Sequence, residues 1–326
     1  FFLQSCQIIN NKIKNKDWLS NYLVGQISYY GDKFSSGKKT TSDFPEEKPI
    51  KVIKVPMSGY QYSMYVNARE KERQEASRQY SRPGSGSRFG MGDKSGSSTY
   101  RVRSRQFSNF VFPKRILKYA QEELEKLKDK KNTKQARIIK YNMMAKLTKE
   151  DLTKDLKQYS PKMDKILKDI DNEIKHGRKK GLVYSGFVMA EGLGVFSKVL
   201  SYNGWEEFNP KGVVGGAKSS LEEQLSVWYD TAPKPIIGGD KSRKFAIISG
   251  NVHPEDRDKI IKVMNSDANS HGEIISLLLI SSTGAEGLDL TGIRFIMMME
   301  GYWNNARIKQ IIARGVRYKS HAKYPP

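Results

Sequence analysis

Leu277-Leu278-Leu279-Ile280-Ser281-Ser282-Thr283-Gly284-Ala285-Glu286-Gly287-Leu288-Asp289-Leu290 is the stretch that decides how the rest of the chain reads. Four consecutive apolar residues make a run of strand length, closed by small polar residues and two glycines. Such a strand belongs in a parallel sheet covered on both faces, where ligands meet the loops at the strands' C-terminal ends. Gly284 and Gly287 let backbone approach a phosphate closely, and Thr283 offers a hydroxyl donor.

Outward from this stretch the pattern repeats. Gly181–Ser185, Phe245–Ser249 and Phe295–Met299 are further apolar runs of strand length. Helical candidates lie between or after them, near residues 189–202, 254–265 and 305–317. Alternating strands and helices imply an α/β fold, a parallel sheet with helices on both faces. Residues 206–242, with Gly215-Gly216 and Gly238-Gly239, read as an insertion. In Gln310-Ile311-Ile312-Ala313-Arg314-Gly315-Val316-Arg317, the polar residues Gln310, Arg314 and Arg317 fall at i, i+4 and i+7, one face of a helix. Two guanidiniums on one face suit a polyphosphate, because each makes planar bidentate contacts with phosphate oxygens. An isolated pair of arginines would read as a solvated basic face; the glycine loop ahead of it shifts the reading.

These two segments resemble motifs V and VI of superfamily 2 helicases and their SWI/SNF-type relatives. That family has a Thr-Gly-x-x-Gly-(Leu/Ile)-(Asp/Asn) loop and a Gln-x-x-Gly-Arg-x-x-Arg helix in its second RecA-like lobe. Thr283, Gly284, Gly287, Leu288 and Asp289 match the first; Gln310, Arg314 and Arg317 match the second, with Ala313 where the family has glycine. The resemblance implies that Arg314 and Arg317 reach the γ-phosphate of ATP, with Gln310, Gly287 and Asp289 in nucleotide binding and coupling. Arginine fingers of this kind are worth roughly 10³–10⁵ in rate. It also implies nucleic-acid backbone contacts from Thr283 and Gly284, and from Ser185 and Gly186 in the motif IV-like Tyr184-Ser185-Gly186-Phe187. Ser249-Gly250 with Arg257 resembles another segment of the lobe, and Trp303-Asn304 resembles the dipeptide ahead of motif VI. Ser104–Pro113, Ile27–Tyr30 and Lys319–His321 resemble poxvirus-type nucleoside triphosphate phosphohydrolase I and related helicases of large DNA viruses.

Charge is unevenly spread. Of a net +22, residues 1–180 hold 40 Lys and Arg against 20 Asp and Glu, and residues 181–326 hold 17 against 15. A basic half joined to a nearly neutral half implies a polyanion partner. Within Tyr100–Phe107, Arg101, Arg103 and Arg105 alternate with aromatic and small residues and are read as nucleic-acid contacts. DNA is the expected partner and RNA the second candidate.

Along the basic half, Lys51–Met57 alternates and reads as a strand, and a helix follows to about Tyr80. The reading divides the chain into 1–80, the end of a first lobe and a bridging segment; 81–99, a flexible Gly/Ser-rich loop; 100–177, a basic helical region; and 178–326, a C-terminal RecA-like lobe. Two amphipathic helices carry stripes at Ile116, Ala120, Leu124 and Leu127, and at Met163, Ile166, Leu167, Ile170 and Ile174. Ser160-Pro161 is a helix start signal.

Cys6 is alone, four histidines are scattered, and no apolar run approaches the ~20 residues that span a membrane. No zinc site, secretory leader or membrane association is expected, and the compartment is reducing. A start on Phe1 suggests a fragment or processed product. Gly212–Ser219 imitates a P-loop but has Ala217 before Lys218, and no Asp-Glu-x-His box exists. The expectation is an ATP-hydrolysing translocase whose ATP and Mg²⁺ are bound mainly by an upstream lobe of the same protein, this chain alone being inactive. Virion and host cytoplasm are the implied locations, and viral RNA polymerase a further partner. The competing reading is a non-catalytic nucleic-acid-binding or polymerase-docking scaffold that keeps a degenerate lobe.

Overall fold

The computed structural model describes residues 8–9, 12–13, 45–80, 101–126, 133–177, 180–210, 243–282, 284, 287–301 and 305–322. The stretches 81–99 and 212–219, and Thr283, Leu127, Trp303 and Asn304, lie outside them. The chain divides into units Phe1–Asp43 and Phe44–Pro326. In the first, β1 (Ile8–Ile9) pairs antiparallel with β2 (Lys12–Ile13).

The second unit is built on a parallel sheet. Its strands are β3 (Gly181–Tyr184), β4 (Trp205–Glu207), β5 (Arg243–Ile248), β6 (Leu277–Ile280) and β7 (Phe295–Met298), in the spatial order β4-β5-β6-β3-β7. Every pairing is parallel, with Gly181 opposite Leu277 on one side and Phe295 on the other. Because side chains alternate along a strand, each apolar run feeds two cores. Val183, Phe245, Leu277 and Leu279 point into one layer, and Leu182, Tyr184, Ala246 and Leu278 into the other. This is the α/β architecture expected of the lobe.

Helices α1 (Gly59–Tyr80), α2 (Val102–Asn109), α3 (Lys114–Glu125), α4 (Thr133–Ala145), α5 (Lys149–Leu152), α6 (Leu156–Tyr159) and α7 (Pro161–Lys175) precede the sheet. After β3 comes α8 (Leu193–Tyr202), whose residues Leu193 to Leu200 are all buried. One of its sides faces the sheet and another the preceding helices, so the basic region completes the core of the lobe. The opposite face is covered by α9 (Pro254–Asn265) and α10 (Asn305–Ile312), through Ile260, Met264 and Ile311.

The Ser160-Pro161 start signal of α7 acts as expected, and Ser58 caps α1 in the same way. Ser58 Oγ accepts from Gln61 N at 3.0 Å; Ser160 Oγ accepts from Met163 N at 3.0 Å, with Pro161 in the first turn. The Met163, Leu167 and Ile170 stripe is buried, with Ile166 and Ile174 packed beside it.

Five expectations need correction. Lys51–Met57 forms no strand: Val52 is 81% exposed, and without a neighbouring strand among the described residues its backbone has no ladder to join. On α3 the stripe is shorter than its pattern suggests, for Ile116 and Ala120 are buried but Leu124 is exposed. The expected helix at 189–202 begins only at Leu193. Ahead of it Leu193 N bonds to Phe187 O at 2.9 Å, and Ala190 holds φ 48°. Trp205–Glu207, which overlaps the start of the expected insertion at residue 206, is the edge strand β4. Finally, α10 ends at Ile312, five residues before the expected 317.

Candidate functional site

Beyond β6 the chain turns tightly against β5. Ser281 N bonds to Ile248 O at 3.1 Å, and Gly284 N bonds to Ser281 Oγ at 3.1 Å. A Cβ on Gly284 would lie 2.1 Å from Ile248 O, so only glycine fits there. Gly287 takes φ +69°, the left-handed region that favours glycine, with Arg257 Nη2 nearby. The motif V-like loop and Arg257, which follows Ser249-Gly250, therefore come together. Leu288 and Leu290 are buried while Asp289 between them is exposed. Asn265 at the end of α9 fixes this exit, donating to Asp289 O at 2.8 Å and accepting from Thr291 N at 2.9 Å.

The polar residues of the second motif do not share one regular helical face. Gln310 is exposed on α10; Arg314 sits in the turn after it and Arg317 beyond. Gly315 explains the break. Its backbone passes so close to β7 and its approach that a Cβ would meet Ile293 at 3.1 Å and Ile296 at 3.3 Å. Close packing thus falls on Gly315, whereas Ala313, where the family has glycine, is exposed and accepts from Arg317 Nε at 3.4 Å. Arg317 Nε also lies 3.6 Å from Asp289 Oδ1, which joins the two motifs. Among the described residues, Arg314 Nε is a buried side-chain nitrogen without a hydrogen-bond partner. Asp289, Ala313, Val316, Arg317 and Tyr318 line an open recess of about 470 Å³.

A second polar assembly lies at the end of β3. Ser185 is fully buried and its Oγ donates to Glu300 Oε1 at 2.6 Å, while Gly186 N donates to Glu300 Oε2 at 2.9 Å. Asn109 Nδ2 donates to the same carboxylate, and Asn109 Oδ1 accepts from Lys162 Nζ at 2.9 Å. Burial pushes the Lys162 ammonium below its ordinary range, Glu300 opposing and Arg105 reinforcing the shift. In this geometry the donors of Ser185 and Gly186 are turned inward rather than toward a nucleic acid. Sequence reasoning missed Glu300, Asn109 and Lys162; the one available signal was a lone acid directly after the apolar run 295–299.

The arginine-rich segment is a helix packed on α1. Glu72 of α1 accepts from Ser104 N at 3.1 Å at the N-terminus of α2, and Arg103 pairs with Glu75 at 2.8 Å across an exposed surface. Burial raises the Glu72 carboxyl, but the bonds from Ser104 and Arg69 outweigh it and hold the group below its usual range. Arg101 adopts φ 51° at the helix start, and Arg105 lies over the Phe187 ring, 5.2 Å from its centroid. The described residues contain no group of three His, Cys, Asp or Glu side chains able to hold a metal. None of their helices is long and apolar enough to cross a membrane.

Residues 229–319 match the model of the helicase conserved C-terminal domain, which spans the glycine loop, the recess and both arginines. Over those residues the chain is similar to helicase C-terminal domains. Relatives extend the likeness beyond that segment. A termination factor NPH-I homolog of African swine fever virus is 34% identical over 329 residues, covering 97% of this chain and 42% of that protein. A protein of Acanthamoeba polyphaga mimivirus, named as a candidate ATP-dependent RNA helicase, is 27% identical over 313 residues, covering 95% and 42%. The C-terminal part of the Fun30 ATPase domain aligns at TM-score 0.43 and 16% identity, over 82% of this chain and 79% of that one. The chain thus spans about two fifths of the length of these two viral relatives. These two viral relatives come from large DNA viruses.

Proposed function

We propose that this chain is the C-terminal lobe and bridging region of an ATP-dependent nucleic-acid translocase acting in viral transcription, with DNA as its track. An upstream lobe of the same protein binds ATP and Mg²⁺; Arg314 and Arg317 reach the γ-phosphate across the cleft, and Gln310, Gly287 and Asp289 help couple the two sites. Thr283 and Gly284 contact the nucleic-acid backbone, and Arg101, Arg103 and Arg105 extend the basic track. The observation that carries the reading is Arg317 beside Asp289, with Arg314 Nε three residues before it buried and without a partner among the described residues. A buried donor without an acceptor is costly, and a phosphate oxygen is the acceptor best suited to a guanidinium.

DNA-stimulated ATP hydrolysis by the full-length protein tests the reading. Arg317→Ala is expected to lower turnover by roughly 10³-fold or more, with DNA affinity nearly unchanged. Retained turnover in the variant removes the arginine-finger role. Salt-sensitive DNA binding without hydrolysis in either protein favours the scaffold instead.

A further inference from the structure

One buried carboxylate joins parts of the chain that lie far apart in sequence. Glu300 is 7% exposed and follows β7, ahead of α10 and of Arg314 and Arg317 beyond it. It accepts from Ser185 and Gly186 after β3 and from Asn109 at the end of α2. Asn109 is held in turn from several sides. Ser160 Oγ donates to its backbone oxygen, and Lys162 Nζ to its side-chain oxygen. Helix α1 is pinned around the same point: Gln61 Nε2 donates to Phe107 O at 2.8 Å and Tyr60 Oη to Phe112 O at 2.7 Å. Among the described residues Lys162 interacts with Glu300 by charge, and a Cβ on Gly186 would lie 3.8 Å from both Glu300 Oε2 and Arg105 Nη2, so two cations of the bridging region stand at the joint.

We infer that Glu300 is a positioning residue that locks the bridging helices to the loop after β3 and to the end of β7, the strand ahead of α10 and the two arginines. A force applied to α1 or α2 then reaches the arginines through Asn109 and Glu300 rather than being lost in a flexible connection. This rests on the proposed function for what the arginines do, whereas the joint itself does not. A carboxylate is suited to the task because it is acceptor-only and meets three donors here.

The polarity of the joint can be broken and reversed. Asn109→Asp sets a second carboxylate against Glu300, a like-charge contact. Glu300→Gln sets an amide donor against either Asn109 Nδ2 or Gly186 N, since each carboxylate oxygen accepts from one of them and Lys162 holds the Asn109 oxygen. Combining the two restores one donor and one acceptor with their roles exchanged. In the full-length protein, hydrogen exchange at Gly186 and across Asn305–Ile312 is expected to speed up by about tenfold or more in each single variant. The ratio of DNA-stimulated to basal ATP hydrolysis is expected to fall by about tenfold. In the combined variant both should return most of the way, the sign of direct coupling between neighbours. Unchanged exchange in the single variants, or no recovery in the combination, overturns the joint. If exchange behaves as expected while the hydrolysis ratio stays constant, the joint is structural and its positioning role is overturned. Absence of stimulated hydrolysis in the unsubstituted protein sinks the proposed function, and exchange alone then decides the joint.

Discussion

At Gly284 the space available to a side chain is negative. Ile248 O occupies the position a Cβ would need, and that oxygen is backbone at the end of β5, unable to step aside as a flexible side chain could. Gly284→Ala is expected to cost about 1–3 kcal/mol, the usual range for overpacking. Urea unfolding would read this as a lower midpoint with an unchanged slope. Gly284 was legible in the sequence as a glycine that matters, but for a different reason. The residues suggested close approach to a phosphate, and the structure adds close approach to the neighbouring strand. Glu300 offered only its place after the apolar run 295–299, and nothing pointed to its partners. Its partners Asn109 and Ser185 lie at sequence separations of 191 and 115, and no periodicity or spacing reports a contact of that kind.

Strands and long helices were legible because burial imposes a period on them. β6 and α9 have the expected limits. The helices of the basic region were harder, since α5 and α6 have only four residues each and bury one or two side chains apiece. Four residues are too few to display a period of 3.6. Lys180 shows how two elements are fastened. It stands just before β3, is 1% exposed, and donates through Nζ to Met264 O near the C-terminal end of α9 at 2.6 Å. A lysine satisfying a late helix carbonyl is favourable, yet burial pushes its pKa down to about 8, with Glu273 opposing and Arg294 reinforcing the shift. His321 stands close enough to feel the same charges. The unfolded chain keeps this proton to about pH 10.4. Below pH 8 both states are charged; between about 8 and 10 the folded state sheds a proton that the unfolded state retains, so stability rises with pH there. Urea midpoints measured across that window are expected to climb, and Lys180→Met is expected to flatten the climb. A residual slope should remain from Lys198, also buried and pushed down to about 8.

For the whole molecule the charge asymmetry sets the prediction. The excess lies almost wholly in residues 1–180, so DNA affinity should fall steeply with salt, by roughly 10³–10⁵ between 50 and 200 mM if 6–10 phosphates are neutralised. Replacing lysines with glutamine in the basic region should reduce the slope of log affinity against log salt, while the same changes after residue 181 should leave it nearly constant. Fluorescence anisotropy across a salt series measures both. Composition made this visible, because summed charge needs no fold. What composition could not reveal was that the basic region also roofs α8 and so cannot be removed without opening the core of the lobe.

The order of the strands has a temporal consequence. β3 lies between β6 and β7, and its residue Gly181 pairs with Leu277 and Phe295. Both neighbours are made about a hundred residues after β3 itself. At ribosomal rates of about 5–20 residues per second, Leu182, Val183 and Tyr184 wait roughly 5–20 s for a partner. During synthesis an interior strand of the finished sheet is therefore its longest-unpaired edge, and the nascent chain must be shielded there until β6 and β7 have emerged.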